Sequence, residues 1–388
     1  MMKILHTSDW HLGHTLYNYD RSEEQKAMLQ QMVEIVQAEQ PDLFLICGDI
    51  YHTPQPSAAI QTLFANALVE MHHANPEMVM VITAGNHDSS SKHDIFRTPW
   101  KALKVYTIGS IAANRTDDLV VEVAGKGYVI AVPYVSERNM PAGLYQELLD
   151  KVAERNSDNL PVVLTAHTTV RGCNFAGHEH ATESTVGGID SYALDELGTG
   201  YDYLALGHIH RGQFVQGGHH RVRYSGTPLP VSFDESYPHS VSIVEISARG
   251  EKPVVREIEI EPLRPLVTLP TAGVATWEEA KELLRNYPDD IEAYIRLKVE
   301  VQDFLPPEAN PEALQICQEK RCLFCVIQAF RPKLQRQETE VMSVQEFKSE
   351  VPIDIARRYA EDKGIAFDND LQELFLEVLT LVDEESRK

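Results

Sequence analysis

Residues 43–49 read LFLICGD: five apolar residues in a row that run into Gly48 and Asp49. An apolar run of that length, closed by a glycine, predicts a strand. The chain repeats the device four more times. Residues 3–7 run into Ser8-Asp9-Trp10-His11, and 78–83 into Gly85-Asn86-His87-Asp88. Residues 161–165 lead to Ala166-His167, and 203–206 to Gly207-His208-Ile209-His210. Each strand stops on a carboxylate, a carboxamide or an imidazole. A further strand is expected at 128–132, and helical patterns at 22–39 and 57–73 alternate with the strands. In the first helix Met28, Met32, Val33 and Val36 recur at helical spacing, with Glu24, Gln25 and Lys26 expected to face solvent. The alternation predicts an α/β architecture.

In open α/β sheets, sites form beyond the carboxyl ends of the strands, so the five clusters should converge. Asp9, His11, Asp49, Asn86, His167, His208 and His210 offer oxygen and imidazole nitrogen without thiolate, which suits two hard or borderline divalent ions. Asp49, from the middle cluster, is the candidate bridge. Two metals about 3.5–4 Å apart can hold a bridging hydroxide as nucleophile and stabilise both oxygens of a phosphoryl displacement. Glycine before Asp49, Asn86 and His208 is expected to let the backbone turn off each strand. His72, His73, His178, His180, His219 and His220 lack a preceding strand and read as ordinary surface or turn residues.

The 388 residues suggest two or three domains at roughly 100–200 residues each. Apolar residues make up 43%, and no window approaches the length of a signal peptide or a membrane span, so a cytoplasmic, membrane-free protein is expected. Five scattered cysteines fit a reducing compartment, and the lone CxxC of Cys322 and Cys325 reads as buried thiols rather than zinc ligands. The net charge of −23 gives the chain no footprint of its own for gripping nucleic acid. A polyanionic substrate would need cations at the site or a basic partner.

The stretches ILHTSDWHLG (4–13), CGDIYHT (47–53), TAGNHD (83–88), LGHIHR (206–211) and YSGTPLPVSFDE (224–235) carry a resemblance. The chain resembles the calcineurin-like metallophosphoesterase superfamily, and within it the nuclease subunits of SbcC–SbcD-type double-strand-break repair complexes. The likeness is motif by motif through about residue 240, and beyond that only in layout. It implies a metallophosphoesterase β-sandwich flanked by helices (1–262), a small α+β capping domain that positions DNA (263–338) and a C-terminal helical hairpin (339–388). It implies one metal on Asp9, His11, Asp49 and His210, and a second on Asp49, Asn86, His167 and His208, with Mn²⁺ preferred. His87 matches the family's catalytic histidine, expected to protonate the leaving 3′ oxygen, and an imidazole suits that task. His52 matches a histidine that contacts the scissile phosphate in some members, while others carry a different residue. Asp88 either orients an imidazole or caps the next turn.

After a Pro-containing stretch at 261–270, read as a linker, the order helix (277–284), strand (291–301), helix (311–319), strand (322–330) forms a compact module. Its basic residues are interleaved with acids and do not by themselves imply DNA binding. Residues 341–388 read as two helices around Gly364, the second with Leu371, Leu374, Phe375, Val378, Leu379 and Val382 on one stripe. Such a face either folds back or docks on a partner. The chain has no phosphate-binding G-x-x-x-x-G-K-[ST] loop, so ATP hydrolysis falls to the SbcC-like coiled-coil ATPase that the resemblance implies as that partner. The resemblance also implies a homodimer through helices near 57–73 and 92–103. The expected activity is a two-metal DNA nuclease, exonucleolytic 3′→5′ on duplex ends and endonucleolytic on hairpins or single strands, serving DNA repair, recombination and replication. A small-molecule phosphoesterase and a non-catalytic metal-binding scaffold are the rival readings.

Overall fold

A computed structural model describes residues 1–111, 116–176, 191–302 and 304–331, with isolated positions between 353 and 378. The chain divides into two compact units, Met1–Phe330 and Arg331–Lys388. The first begins with β1 (Met2–Thr7), a short hairpin of β2 (Thr15–Leu16) and β3 (Tyr19–Asp20), and α1 (Ser22–Glu39). Then come β4 (Leu43–Cys47), α2 (Ala58–Ala74), β5 (Val79–Thr83), α3 (Ser90–Ile95), α4 (Arg97–Trp100) and β6 (Val105–Ile108). The chain continues through β7 (Val120–Val123), β8 (Gly127–Ala131), α5 (Leu144–Arg155), β9 (Val162–His167) and β10 (Tyr203–Gly207). It follows with β11 (Gln213–Phe214), β12 (Val222–Tyr224), β13 (Ser240–Ile246) and β14 (Val254–Glu259). The last elements are β15 (Leu266–Leu269), α6 (Trp277–Arg285), β16 (Tyr294–Glu300), α7 (Ala309–Cys317) and β17 (Leu323–Phe330).

Two six-stranded sheets form the body, in the orders β14-β13-β1-β4-β5-β6 and β11-β12-β10-β9-β8-β7. Successive side chains of a strand point to opposite faces, and the sequence of β4 exploits this. Leu43, Leu45 and Cys47 enter the core between the sheets with Ile4, Val81, Leu164 and Leu204. Phe44 and Ile46 turn the other way, onto Met28 and Met32 of α1 and Phe64 and Leu68 of α2. Burying one such side chain contributes roughly 1.5–3 kcal/mol. Both faces of the strand are therefore apolar, as the unbroken run in the sequence requires. On the second sheet α5 adds Leu144, Leu148 and Val152 to the core. Four-residue strands such as β6 and β7 are too short to stand out by pattern.

The parallel strands β1, β4 and β5 of one sheet and β9 and β10 of the other carry their candidate ligands at their carboxyl ends. The sheets approach closely there. A Cβ on Gly207 would meet the Cys47 carbonyl oxygen at 1.9 Å, so only glycine fits. This refines the expectation for the three glycines that precede ligands: Gly48 alone has a left-handed φ (88°), whereas Gly85 and Gly207 make room.

Two expectations are corrected. Residues 261–270 are not merely a linker, because Leu266–Leu269 forms β15 and pairs in parallel with β16, the centre of a three-stranded sheet with β17. Glu24 and Gln25 do not face solvent. The Glu24 carboxylate accepts from Tyr294 Oη at 2.6 Å and pairs with Arg264 at 2.8 Å, while Gln25 accepts from the Gly13 N–H at 3.0 Å. Both fold a polar edge of α1 under neighbouring elements. Of the CxxC, Cys322 is buried 3.7 Å from Cys317, and Cys325 has no thiol partner among the described residues. In the second unit Leu371, Gln372, Leu374, Phe375 and Val378 are helical, with the Asp368 carboxylate accepting from the Leu371 N–H at 3.0 Å. The remainder of the expected hairpin lies outside the described residues. No helix among the described residues is long and apolar enough to cross a membrane.

Candidate metal centre

The five strand ends meet. Asp9, His11 and His210 bring potential ligand atoms within 4.8 Å of one another, as do Asp49, His167 and His208. Asn86 joins the second group: its Oδ1 lies 3.0 Å from His167 Nε2 and 3.1 Å from His208 Nδ1. Asp49 stands between the groups, with Oδ2 3.3 Å from His167 Nε2 and 3.9 Å from His11 Nε2. Asp9, His11, Asp49, His167 and His210 are buried and form a floor, while His52, His87 and His208 are partly open and Asn86 is exposed.

Backbone strain marks the same residues. Asp9 (φ 54°), His11 (45°), Asp49 (52°) and His208 (96°) all sit in the left-handed region, at about 1–3 kcal/mol each. Neighbouring backbone holds them there: the Asp9 N–H donates to the Gly48 carbonyl and the His11 N–H to the Asp49 carbonyl, both at 3.0 Å. The ring orientations are fixed in turn. His167 Nδ1 donates to the Cys47 carbonyl at 2.8 Å, and His210 Nδ1 to Glu235 Oε1 at 2.8 Å. Each turns its Nε2 toward the centre. The His11 and His210 Nε2 atoms then face each other at 3.2 Å, and His167 Nε2 faces two oxygen acceptors. Oxygen and imidazole nitrogen converging on a shared space form a donor set that suits a divalent cation.

The charges lean the same way. Burial would raise the Asp49 carboxyl, but His167, His11 and His87 outweigh it and hold Asp49 ionised, well below the ordinary carboxylate range. Burial would lower His167, but Asp49 raises it to about 9. His210 is likewise lowered by burial and raised by Glu235 by more. Burial raises Asp9 and lowers His11.

At the mouth, the His87 N–H donates to Asp49 Oδ1 at 2.8 Å, and its Nδ1 lies 3.0 Å from the His52 carbonyl. The His52 and His87 rings stack with centroids 5.7 Å apart at 18°. Asp88 turns out to be a backbone clamp, accepting from the N–H groups of Gly85 (2.9 Å), Tyr51 (3.0 Å) and Ile50 (3.1 Å). Glu235 escapes a reading of the site from sequence, since it follows no strand. Its one signal is its place at the end of the SFDE stretch. His72 and His73 end α2 and His219 and His220 occupy a turn, none of them in a metal-competent cluster among the described residues. His178 and His180 lie outside the described residues.

The chain belongs to the calcineurin-like phosphoesterase family, whose model matches residues 2–212. Within that family it groups with the SbcD proteins, the nuclease subunits of SbcCD complexes. It is 32% identical over 306 residues to the SbcCD nuclease SbcD of Rhodobacter capsulatus, covering 72% of this chain and 74% of that protein. The SbcD protein of Escherichia coli K12 is 29% identical over 312 residues, covering 72% and 75%. The one from Bacillus subtilis is 28% identical over 420 residues, covering the whole of both chains. Among solved structures, a β-glucosidase from Exiguobacterium marinum covers 85% of this chain and 89% of that one at 8% identity, with a TM-score of 0.21, a likeness that carries no argument.

Proposed function

We propose that the chain is a two-metal DNA nuclease, the catalytic subunit of an SbcC–SbcD-type complex in DNA repair, recombination and replication. The observation that carries this is the convergence of six candidate ligand side chains around Asp49, in a chain whose relatives are named as nuclease subunits. Asp9, His11, Asp49 and His210 would hold one divalent ion, and Asp49, Asn86, His167 and His208 the other, with Mn²⁺ preferred. Bound there, the ions would supply Lewis-acid neutralisation of a phosphodiester and activation of water. They would also relieve the repulsion between a chain of net charge −23 and a polyanion.

The chain's own groups do the rest. With Nδ1 directed at the His52 carbonyl, His87 keeps Nε2 free to give a proton to the leaving 3′ oxygen. His52, stacked beside it, lines the mouth where the scissile phosphate would lie. Asp88 holds the two loops that carry His52 and Asn86 in fixed relation. The nuclease domain spans 1–262. Residues 263–338 form the capping domain that positions DNA, and 339–388 dock on the SbcC-like ATPase, consistent with exposed Leu374 and Val378. A homodimer through α2 and the α3–α4 segment is supported by exposed Ile95 and Phe96. The complex would work in the cytoplasm, 3′→5′ on duplex ends and endonucleolytically on hairpins and single strands.

The test is cleavage of an end-labelled duplex and a hairpin with Mn²⁺, by the wild type and His87→Gln. The wild type should shorten both, with the label reporting polarity. The variant should bind metal normally and turn over on the order of 10²–10⁴-fold more slowly. Hydrolysis of a small phosphodiester with DNA left intact, with the ATPase present, would refute DNA as the substrate.

A further inference from the structure

Residues 231–239 contain no helix and begin no strand, yet several of their side chains are buried as deeply as a core. Glu235 faces the metal centre: Oε1 accepts from His210 Nδ1 at 2.8 Å, and Oε2 accepts from the Val231 N–H at 3.1 Å. The two residues before it face the small sheet. Arg296, on the central strand β16, donates to Asp234 Oδ1 at 2.6 Å and to the Phe233 carbonyl at 2.9 Å. Its Nε donates to Thr268 Oγ1 of β15 at 3.1 Å, and its guanidinium lies 5.2 Å over the Phe233 ring. Phe233 itself packs with Tyr294 of β16 and Leu16.

Arg296 is only 5% exposed, so it does not offer its charge to a substrate. A buried arginine is costly unless its fork is fully engaged, and here the side chain's hydrogen bonds go to Thr268 and the 233–234 segment. The pairing of β16 with β17 slips between Ile295 and Arg296, an irregularity of the kind that re-aims a side chain. Three consecutive residues therefore join the small sheet to a metal-ligand candidate.

We infer that Arg296 is a positioning residue of the metal centre: through Phe233, Asp234 and Glu235 it fixes the His210 ring, so the seating of the small sheet sets occupancy of the Asp9–His11–His210 site. The inference rests on the two-metal reading above. Arg296 touches no candidate ligand itself, and its effect passes through one short segment.

The experiment is Mn²⁺ titration calorimetry on the full chain, with wild type, Arg296→Met, Arg296→Lys, Glu235→Gln and the Arg296→Met/Glu235→Gln double variant. Groups that hold metal ligands typically account for about 10- to 100-fold in affinity. Arg296→Met and Glu235→Gln should each weaken one of the two sites by about that factor and leave the other within about twofold. Arg296→Lys, which keeps the charge beside Asp234, should recover part of the loss. The double variant should be no weaker than Glu235→Gln alone, because residues acting along one path are not additive. Electron paramagnetic resonance at two equivalents should show the coupled Mn²⁺ pair replaced by isolated ions. If Arg296→Met does not fold, Asp234→Asn carries the same prediction. Unchanged affinities, equal weakening of both sites, or additive losses would overturn the inference. A wild type that binds fewer than two Mn²⁺ would instead overturn the metal reading beneath it.

Discussion

Metal uptake by this chain should expel a proton, and the amount follows from His167. Its Nε2 lies 3.3 Å from Asp49 Oδ2, and although burial disfavours the imidazolium, that carboxylate raises the ring to about 9. At pH 7 the metal-free ring is therefore charged, whereas a ring that binds metal must be neutral. Proton and metal compete for one nitrogen. The sign is fixed: affinity rises with pH until about 9 and falls as pH drops. At pH 7 the competition spans about two pH units, which is on the order of 100-fold in affinity. His210, also raised, adds in the same direction. Calorimetry at pH 7 in buffers of differing protonation enthalpy should report at least one proton released per chain. The logarithm of the apparent Mn²⁺ association constant should climb by about one or more per pH unit between 6.5 and 8. Binding heats that do not depend on the buffer, with affinity flat over that range, would refute the reasoning. Asp49→Asn should lower His167, and proton release should fall even where some metal still binds.

Further outcomes follow from the same geometry. A Cβ at position 85 would lie 2.1 Å from Asp49 Oδ1 and 2.3 Å from its backbone nitrogen, so Gly85→Ala must displace Asp49, the proposed bridge. It should cost about 1–3 kcal/mol in urea unfolding and bring metal stoichiometry below two, and retention of both ions would count against it. Asp88→Asn keeps one acceptor for three backbone donors and should lose on the order of 2 kcal/mol, read by the same unfolding; a neutral effect would mean the clamp is redundant. Removing residues 339–388 should leave Mn²⁺-dependent cleavage intact and abolish co-purification with the ATPase. Retained association would place the docking surface elsewhere.

The convergence of the candidate residues was legible because each directly follows an apolar strand, and parallel strands deliver their ends to one side of a sheet. The unbroken apolar run of β4 announced a strand, and the structure covers it on both faces. What holds the candidate residues in place was less legible. Glu235 reaches His210 from an irregular segment, and the partner of His167 is the Cys47 carbonyl, a group every residue carries. Asp88 could not be assigned from sequence because clamping three N–H groups and capping a turn ask for the same side chain. Residues 261–270 looked like a linker because Pro265 and Pro270 bracket a strand of only four residues. Glu24 and Gln25 looked solvated because nothing in helical periodicity reveals that Tyr294 and Arg264 would cover them.

The most direct test of the central claim is anomalous diffraction at the manganese edge from crystals of the full chain grown with Mn²⁺. Two peaks about 3.5–4 Å apart are expected. One should be ligated by Asp9, His11, Asp49 and His210, and the other by Asp49, Asn86, His167 and His208. A single peak, or two peaks that do not share Asp49, would contradict it.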